Sequence, residues 1–147
     1  MNEAASPALK TALLDRIQSR QSRIGVMGLG YVGLPLAMRL AEAGHSVYGF
    51  DVDPSKIEKL NSGQSYLRYL DGSRLQEAAR AGRFRATSDF DQLGEVEVIV
   101  ICVPTPLDAH REPDMKYVVQ TAEVVRSRLR RGQLVILEST TYPGTTD

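Results

Sequence analysis

The residues best suited to chemistry form a glycine-rich hexapeptide at 28–33, Gly-Leu-Gly-Tyr-Val-Gly, with the spacing G-x-G-x-x-G. Between a strand and a helix, Gly28 would permit a tight turn, Gly30 would let the backbone approach a pyrophosphate, and Gly33 would allow close helix packing. The N-terminus of that helix would offer free N–H groups to the phosphates. Taken alone, the hexapeptide is equally compatible with a glycine-rich turn that binds nothing.

An acidic residue, Asp51, strengthens this pattern because it follows Gly28 by 23 residues, at the predicted end of the next strand. A carboxylate there accepts hydrogen bonds from the ribose hydroxyls of an adenine dinucleotide. Its charge would repel a 2′-phosphate, so the sequence favours NAD over NADP. Lys56 could reach the adenosine side of such a site, although a solvated helix lysine would show the same spacing.

Two further strand ends carry hydroxyl residues that could face a ligand. Thr105 follows the apolar run at 98–103 and is a candidate cofactor contact. A turn stiffened by the flanking prolines is an equal alternative. Ser139 and Thr140 follow the last predicted strand, where a simple helix-capping turn would use the same residue types.

The single cysteine and the two histidines predict neither a nucleophile nor a metal site. Cys102 lies in an apolar run without a neighbouring His or Lys to stabilise a thiolate, so we expect a structural role. His45 and His110 have no partners at metal-ligand spacing.

The elements that must position these residues alternate between short apolar runs and helical stretches, which is typical of βαβ units. Runs that are apolar at consecutive positions, such as 98–103 and 134–137, indicate strands covered on both faces. The sequence therefore predicts an α/β fold, a Rossmann-like doubly wound parallel sheet in three α/β/α layers. Strands are predicted at 23–27, 46–50, 84–87, 97–103 and 133–138, and helices at 31–43, 54–61, 73–81 and 115–130.

A polar segment ends at Arg23, where the first strand begins. We therefore predict an N-terminal helical extension at 1–22, with a helix over 8–18, and a dinucleotide-binding domain at 23–147.

Composition limits the classes of partner and environment. The 147 residues include 18 Lys and Arg against 18 Asp and Glu, so a net charge of zero gives no bulk attraction to nucleic acid or an anionic membrane. One cysteine excludes a disulfide framework. The longest apolar run is far shorter than the roughly 18 residues of a membrane span. A soluble, cytoplasmic protein is the expectation.

Taken together, these motifs resemble the UDP-glucose/GDP-mannose dehydrogenase family of nucleotide-sugar 6-dehydrogenases, from about Arg20 to the last residue. The segments that carry the resemblance are 24–35, 49–53, 102–107 and 138–146. Within the family, Arg-Glu-Pro-Asp at 111–114 and the ending Glu-Ser-Thr-Thr-Tyr-Pro-Gly-Thr-Thr look most like UDP-N-acetylglucosamine 6-dehydrogenases. UDP-N-acetylmannosamine dehydrogenases are close behind.

The resemblance implies oxidation of a sugar C6 alcohol to a carboxylate with two NAD, through an intermediate on a cysteine, for surface polysaccharide biosynthesis. It implies that Thr140 helps to organise the reacting centre. The NAD contacts that it implies are Gly28, Gly30, Tyr31, Val32, Gly33, Asp51, Lys56, Val103, Pro104, Thr105, Ser139 and Thr140.

The family's nucleophilic cysteine, its catalytic lysine and asparagine, and its UDP-sugar domain match nothing in this sequence. We therefore expect the chain to bind NAD without turnover, as the cofactor domain of an enzyme that acts on a UDP-sugar and forms a homo-oligomer at full length. A UDP-glucose dehydrogenase and a stand-alone dinucleotide-binding module remain alternatives.

Overall fold

A computed structural model describes the backbone of residues 5–140 and the side chains of residues 7–140. Residues 141–147, which include most of the last motif, lie outside the described part. The helices are α1 Ala5–Gln18, α2 Gly33–Glu42, α3 Pro54–Asn61, α4 Gly72–Arg80 and α5 Lys116–Arg126. The strands are β1 Arg23–Met27, β2 Ser46–Phe50, β3 Phe84–Thr87, β4 Val98–Ile101 and β5 Leu134–Leu137. A short 3₁₀ helix at Phe90–Glu95, which the sequence did not predict, precedes β4.

The strands form one parallel sheet in the order β3-β2-β1-β4-β5. From β1, the next two strands, β2 and β3, are added on one side of β1, and the chain then crosses over so that β4 and β5 are added on its other side. The strand order therefore reverses between β1 and β4, which is the position where doubly wound sheets bind ligands. The predicted fold class is confirmed.

Two apolar cores lie on opposite faces of the sheet, because alternate side chains of a strand point to opposite faces. Val98 and Val100 of β4 belong to the core that contains α2, α3 and α4. Ile99 and Ile101 belong to the core formed with α5 and the 3₁₀ helix. This explains why β4 is apolar at every position.

The expectation that β5 is also covered on both faces is wrong for the described residues. Leu134 is 41% exposed and Val135 is 40% exposed. Within residues 5–140, β5 pairs only with β4 and forms the sheet edge. Its consecutive apolar residues indicated burial but could not indicate which part of the chain would provide it.

Helix α3 begins sharply after β2 because its first residues favour a helix start. The Asp53 side chain accepts a hydrogen bond from the Ser55 backbone N–H at 2.9 Å, and Pro54 occupies the first turn. This early start places Lys56 in the first turn of α3, close to the end of β2.

The first helix extends the predicted 8–18 to Ala5–Gln18. Its Leu13 and Ile17 pack against the core on the α2 face. Arg16 pairs with Glu97 at 2.9 Å, which places the C-terminal end of α1 near the amino end of β4. The division into an extension and a domain stays a prediction. In the described part of the chain, no helix has the length and apolar character needed to cross a membrane.

Candidate cofactor-binding site

Almost all of the predicted site residues lie in segments that follow the carboxyl ends of β1, β2, β4 and β5. The ends of β1, β2 and β4 are joined directly by backbone hydrogen bonds. Gly28 donates to the Phe50 carbonyl at 2.8 Å, and Cys102 donates to the Met27 carbonyl at 2.8 Å. The loop at 28–32 therefore lies at the reversal of strand order.

The three glycines of this loop have different local requirements. Gly28 has a φ of +91°, and a Cβ there would lie 2.9 Å from the Cys102 carbonyl oxygen. A Cβ on Gly33 would lie 1.7 Å from the Gly28 carbonyl oxygen. A Cβ on Gly30 would meet no heavy atom within 4 Å. Gly28 and Gly33 are thus required by the fold, whereas Gly30 borders open space.

The backbone donors beside that space are available to a ligand. Among residues 5–140, the N–H groups of Gly30, Tyr31, Val32 and Gly33 have no hydrogen-bond acceptor. Helix α2 also begins at Gly33 without a side-chain cap. Free N–H groups at a helix N-terminus attract anions. The loop therefore fits a pyrophosphate.

Asp51 is a buried carboxylate that links β2 to the glycine loop. Its Oδ2 accepts the Leu29 N–H at 2.9 Å and lies 3.4 Å from the Lys56 ammonium, while its Oδ1 accepts the Asp53 N–H at 3.0 Å. These hydrogen bonds and the ion pair make the burial of a charge tolerable. A carboxylate has about four acceptor positions, so it retains capacity for a ribose hydroxyl.

An open cleft of about 370 Å³ lies beside Asp51. This volume falls within the range of about 300–1,000 Å³ that is usual for small-molecule sites. Phe50 stacks with Phe90 at a centroid distance of 5.9 Å, and both residues belong to the lining of the cleft. The predicted cofactor contacts that line it are Gly28, Asp51, Lys56, Val103 and Pro104.

Helix α5 provides a wall of this cleft that was not predicted from the sequence. Tyr117, Thr121 and Val124 line it from one face of the helix. Their spacing of i, i+4 and i+7 is the interval at which helix side chains share a face. That stripe was visible in the sequence, but an apolar helix face predicts core packing as readily as a ligand wall.

The hydroxyl residues Thr105, Ser139 and Thr140 lie further along the same sheet edge, after β4 and β5. Ser139 donates a hydrogen bond to the Val103 carbonyl at 2.8 Å, which connects the two strand ends. Thr105 is half-buried and Thr140 is exposed. Their roles stay predictions.

Two tyrosines between α3 and α4, which were not predicted as site residues, contact the glycine loop. The Tyr66 hydroxyl donates to the Leu29 carbonyl, and the Tyr69 hydroxyl donates to the Tyr31 carbonyl at 3.0 Å. Burial, with smaller contributions from the charges of Asp51 and Asp53, raises the pKa of Tyr66 well above its usual range.

Cys102 lies beneath the loop and is 8% exposed. Burial, followed by the nearby charge of Glu138, raises the pKa of its thiol to about 11. A thiol with this pKa is protonated at neutral pH, in agreement with the structural role expected from the sequence. Among the described residues, no three His, Cys, Asp or Glu side chains form a group that could hold a metal ion.

A family model described as "UDP-glucose/GDP-mannose dehydrogenase family, NAD binding domain" matches residues 22–147. The UDP-N-acetyl-D-mannosamine dehydrogenase of Pyrococcus horikoshii is 40% identical over 126 residues, covering 85% of this chain and 30% of that protein. The UDP-N-acetyl-D-glucosamine 6-dehydrogenase of Pseudomonas aeruginosa is 37% identical over 125 residues, covering 85% and 29%.

A solved structure shows the same similarity in three dimensions. A ternary complex of GDP-mannose dehydrogenase from Pseudomonas aeruginosa gives a TM-score of 0.80 at 33% identity, covering 84% of this chain and 30% of that one. This chain therefore spans less than a third of the length of these relatives.

Proposed function

This chain belongs to the UDP-glucose/GDP-mannose dehydrogenase family, and we propose that it forms the NAD-binding half of a UDP-N-acetylhexosamine 6-dehydrogenase. The substrate class is supported by the relatives named for UDP-N-acetyl-D-mannosamine and UDP-N-acetyl-D-glucosamine, at 40% and 37% identity. Because these identities are nearly equal, they favour the N-acetylhexosamine class without separating the two sugars. The preference for UDP-N-acetylglucosamine in the sequence analysis stays a prediction.

The observation that carries the proposal is the position of the Asp51 carboxylate, between the glycine loop and Lys56 at the mouth of the cleft. We assign to Asp51 the ribose hydroxyls of the adenosine. We assign the pyrophosphate to the free N–H groups at Gly30–Gly33, which would donate hydrogen bonds to it. We assign the adenine to the part of the cleft that is lined by Phe50, Phe90 and the segment Val103–Pro104.

Thr105, Ser139 and Thr140, which lie further beyond β4 and β5, are assigned to the nicotinamide end of the site. NAD bound here would accept a hydride, and oxidation of a C6 alcohol to a carboxylate would take two hydride transfers, to two NAD in turn, with water supplying the second carboxylate oxygen. Ser139 holds the end of β5 against the Val103 carbonyl, and Thr140 is the residue of this chain that we propose lies next to the reacting carbon. Binding of the uridine and the sugar is assigned to the rest of a longer protein.

Calorimetric titration of the 147-residue chain with NAD and NADP tests the cofactor half of the proposal. We expect NAD to bind and NADP to bind at least about tenfold more weakly, because the Asp51 charge would repel a 2′-phosphate. A folded chain that binds neither dinucleotide, or binds both equally, would contradict the assignment of Asp51.

Turnover by the complete gene product tests the substrate class. NADH formation with UDP-N-acetylglucosamine, UDP-N-acetylmannosamine and UDP-glucose should show the highest kcat/KM for one of the two N-acetylhexosamines, with two NADH per sugar. A preference for UDP-glucose would overturn the substrate class and leave the cofactor half intact.

A further inference from the structure

We infer that Tyr66 and Tyr69 are positioning residues that aim the backbone N–H groups of the glycine loop at the cofactor's pyrophosphate. The inference rests on the proposed function, since it assumes that the loop binds a dinucleotide. The inference concerns the segment at residues 62–71, which contributes nothing to the lining of the cleft beside Asp51.

The two hydroxyls bind alternate carbonyls of the same loop. Tyr66 donates to Leu29, and Tyr69 donates to Tyr31 at 3.0 Å. These contacts join residues that are 37 and 38 positions apart in sequence. The Leu29 and Tyr31 carbonyls both lie on the loop at 28–32, where the strand order reverses.

Peptide geometry converts these contacts into control over N–H direction. A trans peptide is planar, so its carbonyl oxygen and the N–H of the next residue point in opposite directions. Fixing the Leu29 carbonyl therefore fixes the N–H of Gly30, and fixing the Tyr31 carbonyl fixes the N–H of Val32. Within residues 5–140, both of these N–H groups lack an acceptor.

Leu29 is fixed at both of its backbone polar groups. Asp51 accepts its N–H at 2.9 Å, and Tyr66 donates to its carbonyl. The Lys56 ammonium, which pairs with Asp51, lies 5.7 Å from the centroid of the Tyr66 ring. The aromatic ring and the lysine therefore keep the hydroxyl close to the loop.

The Tyr66 hydroxyl is a dependable donor. Its pKa is raised, chiefly by burial, so it stays protonated throughout the physiological pH range. Leu29 is fully buried, so its carbonyl has poor access to water if the hydroxyl is removed. Tyr69 is 62% exposed, and water can replace its hydroxyl more readily. Tyr66→Phe should therefore have a larger effect than Tyr69→Phe.

NMR titration of the ¹⁵N-labelled 147-residue chain with adenosine and with ADP-ribose provides the test. Adenosine reports on the Asp51 cleft alone, whereas ADP-ribose adds the pyrophosphate. We expect Tyr66→Phe to weaken ADP-ribose binding about three- to tenfold, the effect of losing one hydrogen bond, and to leave adenosine binding unchanged. Tyr48→Phe is the matched control, because the Tyr48 hydroxyl binds Glu95 at 3.3 Å instead of the loop.

A second readout needs no ligand. The loop covers Cys102, since a Cβ at Gly28 or Gly33 would lie within 3.2 Å of that residue. Loosening the loop in Tyr66→Phe should accelerate alkylation of this thiol, and Tyr48→Phe should not. Thermal unfolding of each variant separates local loosening from global destabilisation.

Equal weakening of adenosine and ADP-ribose in Tyr66→Phe, or no weakening of either, would overturn the inference while the proposed function stands. An unchanged rate of Cys102 alkylation would also overturn it. If the wild-type chain binds adenosine and ADP-ribose equally well, or binds neither, the proposed pyrophosphate site itself is wrong.

Discussion

Replacement of Asp51 by asparagine is the sharpest test of cofactor choice. Asn has nearly the same shape, so the change removes charge and one acceptor without opening a cavity. If the amide oxygen keeps the Leu29 N–H, the amide nitrogen must face the Asp53 N–H, which now binds Oδ1 at 3.0 Å. That leaves a donor facing a donor. We expect the free energy of unfolding to fall by about 1–3 kcal/mol.

The loss of NAD affinity follows from the hydrogen bonds that the charged carboxylate would make to ribose. A hydrogen bond to a charged group contributes about 1.5–3 kcal/mol, which corresponds to a loss of about tenfold to 150-fold in NAD affinity. This value needs little reduction for solvent screening, because the Asp51 side chain is only 9% exposed. Affinity for NADP should rise, since the repelling charge is gone and Lys56 loses its partner.

Calorimetric titration of wild type and Asp51→Asn with both dinucleotides measures this change. Asp71→Asn is the matched control, because Asp71 caps α4 through Ser73 outside the cleft and asparagine caps helices equally well. Its NAD affinity should equal that of the wild type. An Asp51→Asn chain that keeps its NAD affinity and its discrimination against NADP would contradict the assignment of Asp51 to the ribose hydroxyls.

Three other predictions concern packing and protonation. Gly33→Ala should prevent stable folding, because its Cβ would lie 1.7 Å from the Gly28 carbonyl oxygen. Gly30→Ala should change the free energy of unfolding, measured with urea, by less than about 0.5 kcal/mol, yet weaken NAD binding, measured by calorimetry, at least about tenfold. A Gly30→Ala chain with full NAD affinity would contradict the assignment of the loop to the pyrophosphate. Burial, followed by the charge of Arg20, lowers the pKa of His45, so the unfolded chain binds the imidazole proton at a higher pH than the folded chain. The free energy of unfolding should therefore fall as the pH drops below 6.5, which urea unfolding from about pH 8 to about pH 5 should show. His45→Gln should remove the part of this pH dependence that comes from His45. Ile17→Ala should lower the free energy of unfolding by about 1–2 kcal/mol, because Ile17 is half-buried against the core, and it should leave NAD affinity unchanged. An unchanged free energy of unfolding would show that α1 does not support the domain.

The sheet and the glycine loop were predictable because their signals are local. Three glycines at fixed spacing follow an apolar strand, and β1, β2 and β3 match their predicted ranges. The all-apolar β4 also indicated two covered faces, which the two cores confirm. The apolar residues of β5 carried the same signal, but its exposed edge depends on which elements lie beside it.

The parts of the site that could not be predicted come from contacts between distant segments. The residues 62–71 show neither helical nor strand periodicity, so nothing in their spacing places Tyr66 on the glycine loop. Tyr117 and Val124 are ordinary apolar positions of a helix, and only the three-dimensional position of α5 makes them walls of the cleft. Sequence patterns identify the residues that a loop requires for its own backbone more readily than the residues that support it from outside.

The hydrogen bonds of Leu29 connect the carboxylate that we propose binds ribose with the loop that we propose binds phosphate. Asp51 both faces the cleft and holds the Leu29 N–H, so its replacement should weaken adenosine and ADP-ribose alike. The Tyr66 hydroxyl binds the opposite end of the same residue, its carbonyl, so loss of this hydroxyl in Tyr66→Phe should weaken ADP-ribose alone. A loop that merely needed to be ordered would respond in the same way to both changes. Different ligand profiles for the two variants therefore distinguish a carboxylate that contacts the ligand from a hydroxyl that acts through the backbone.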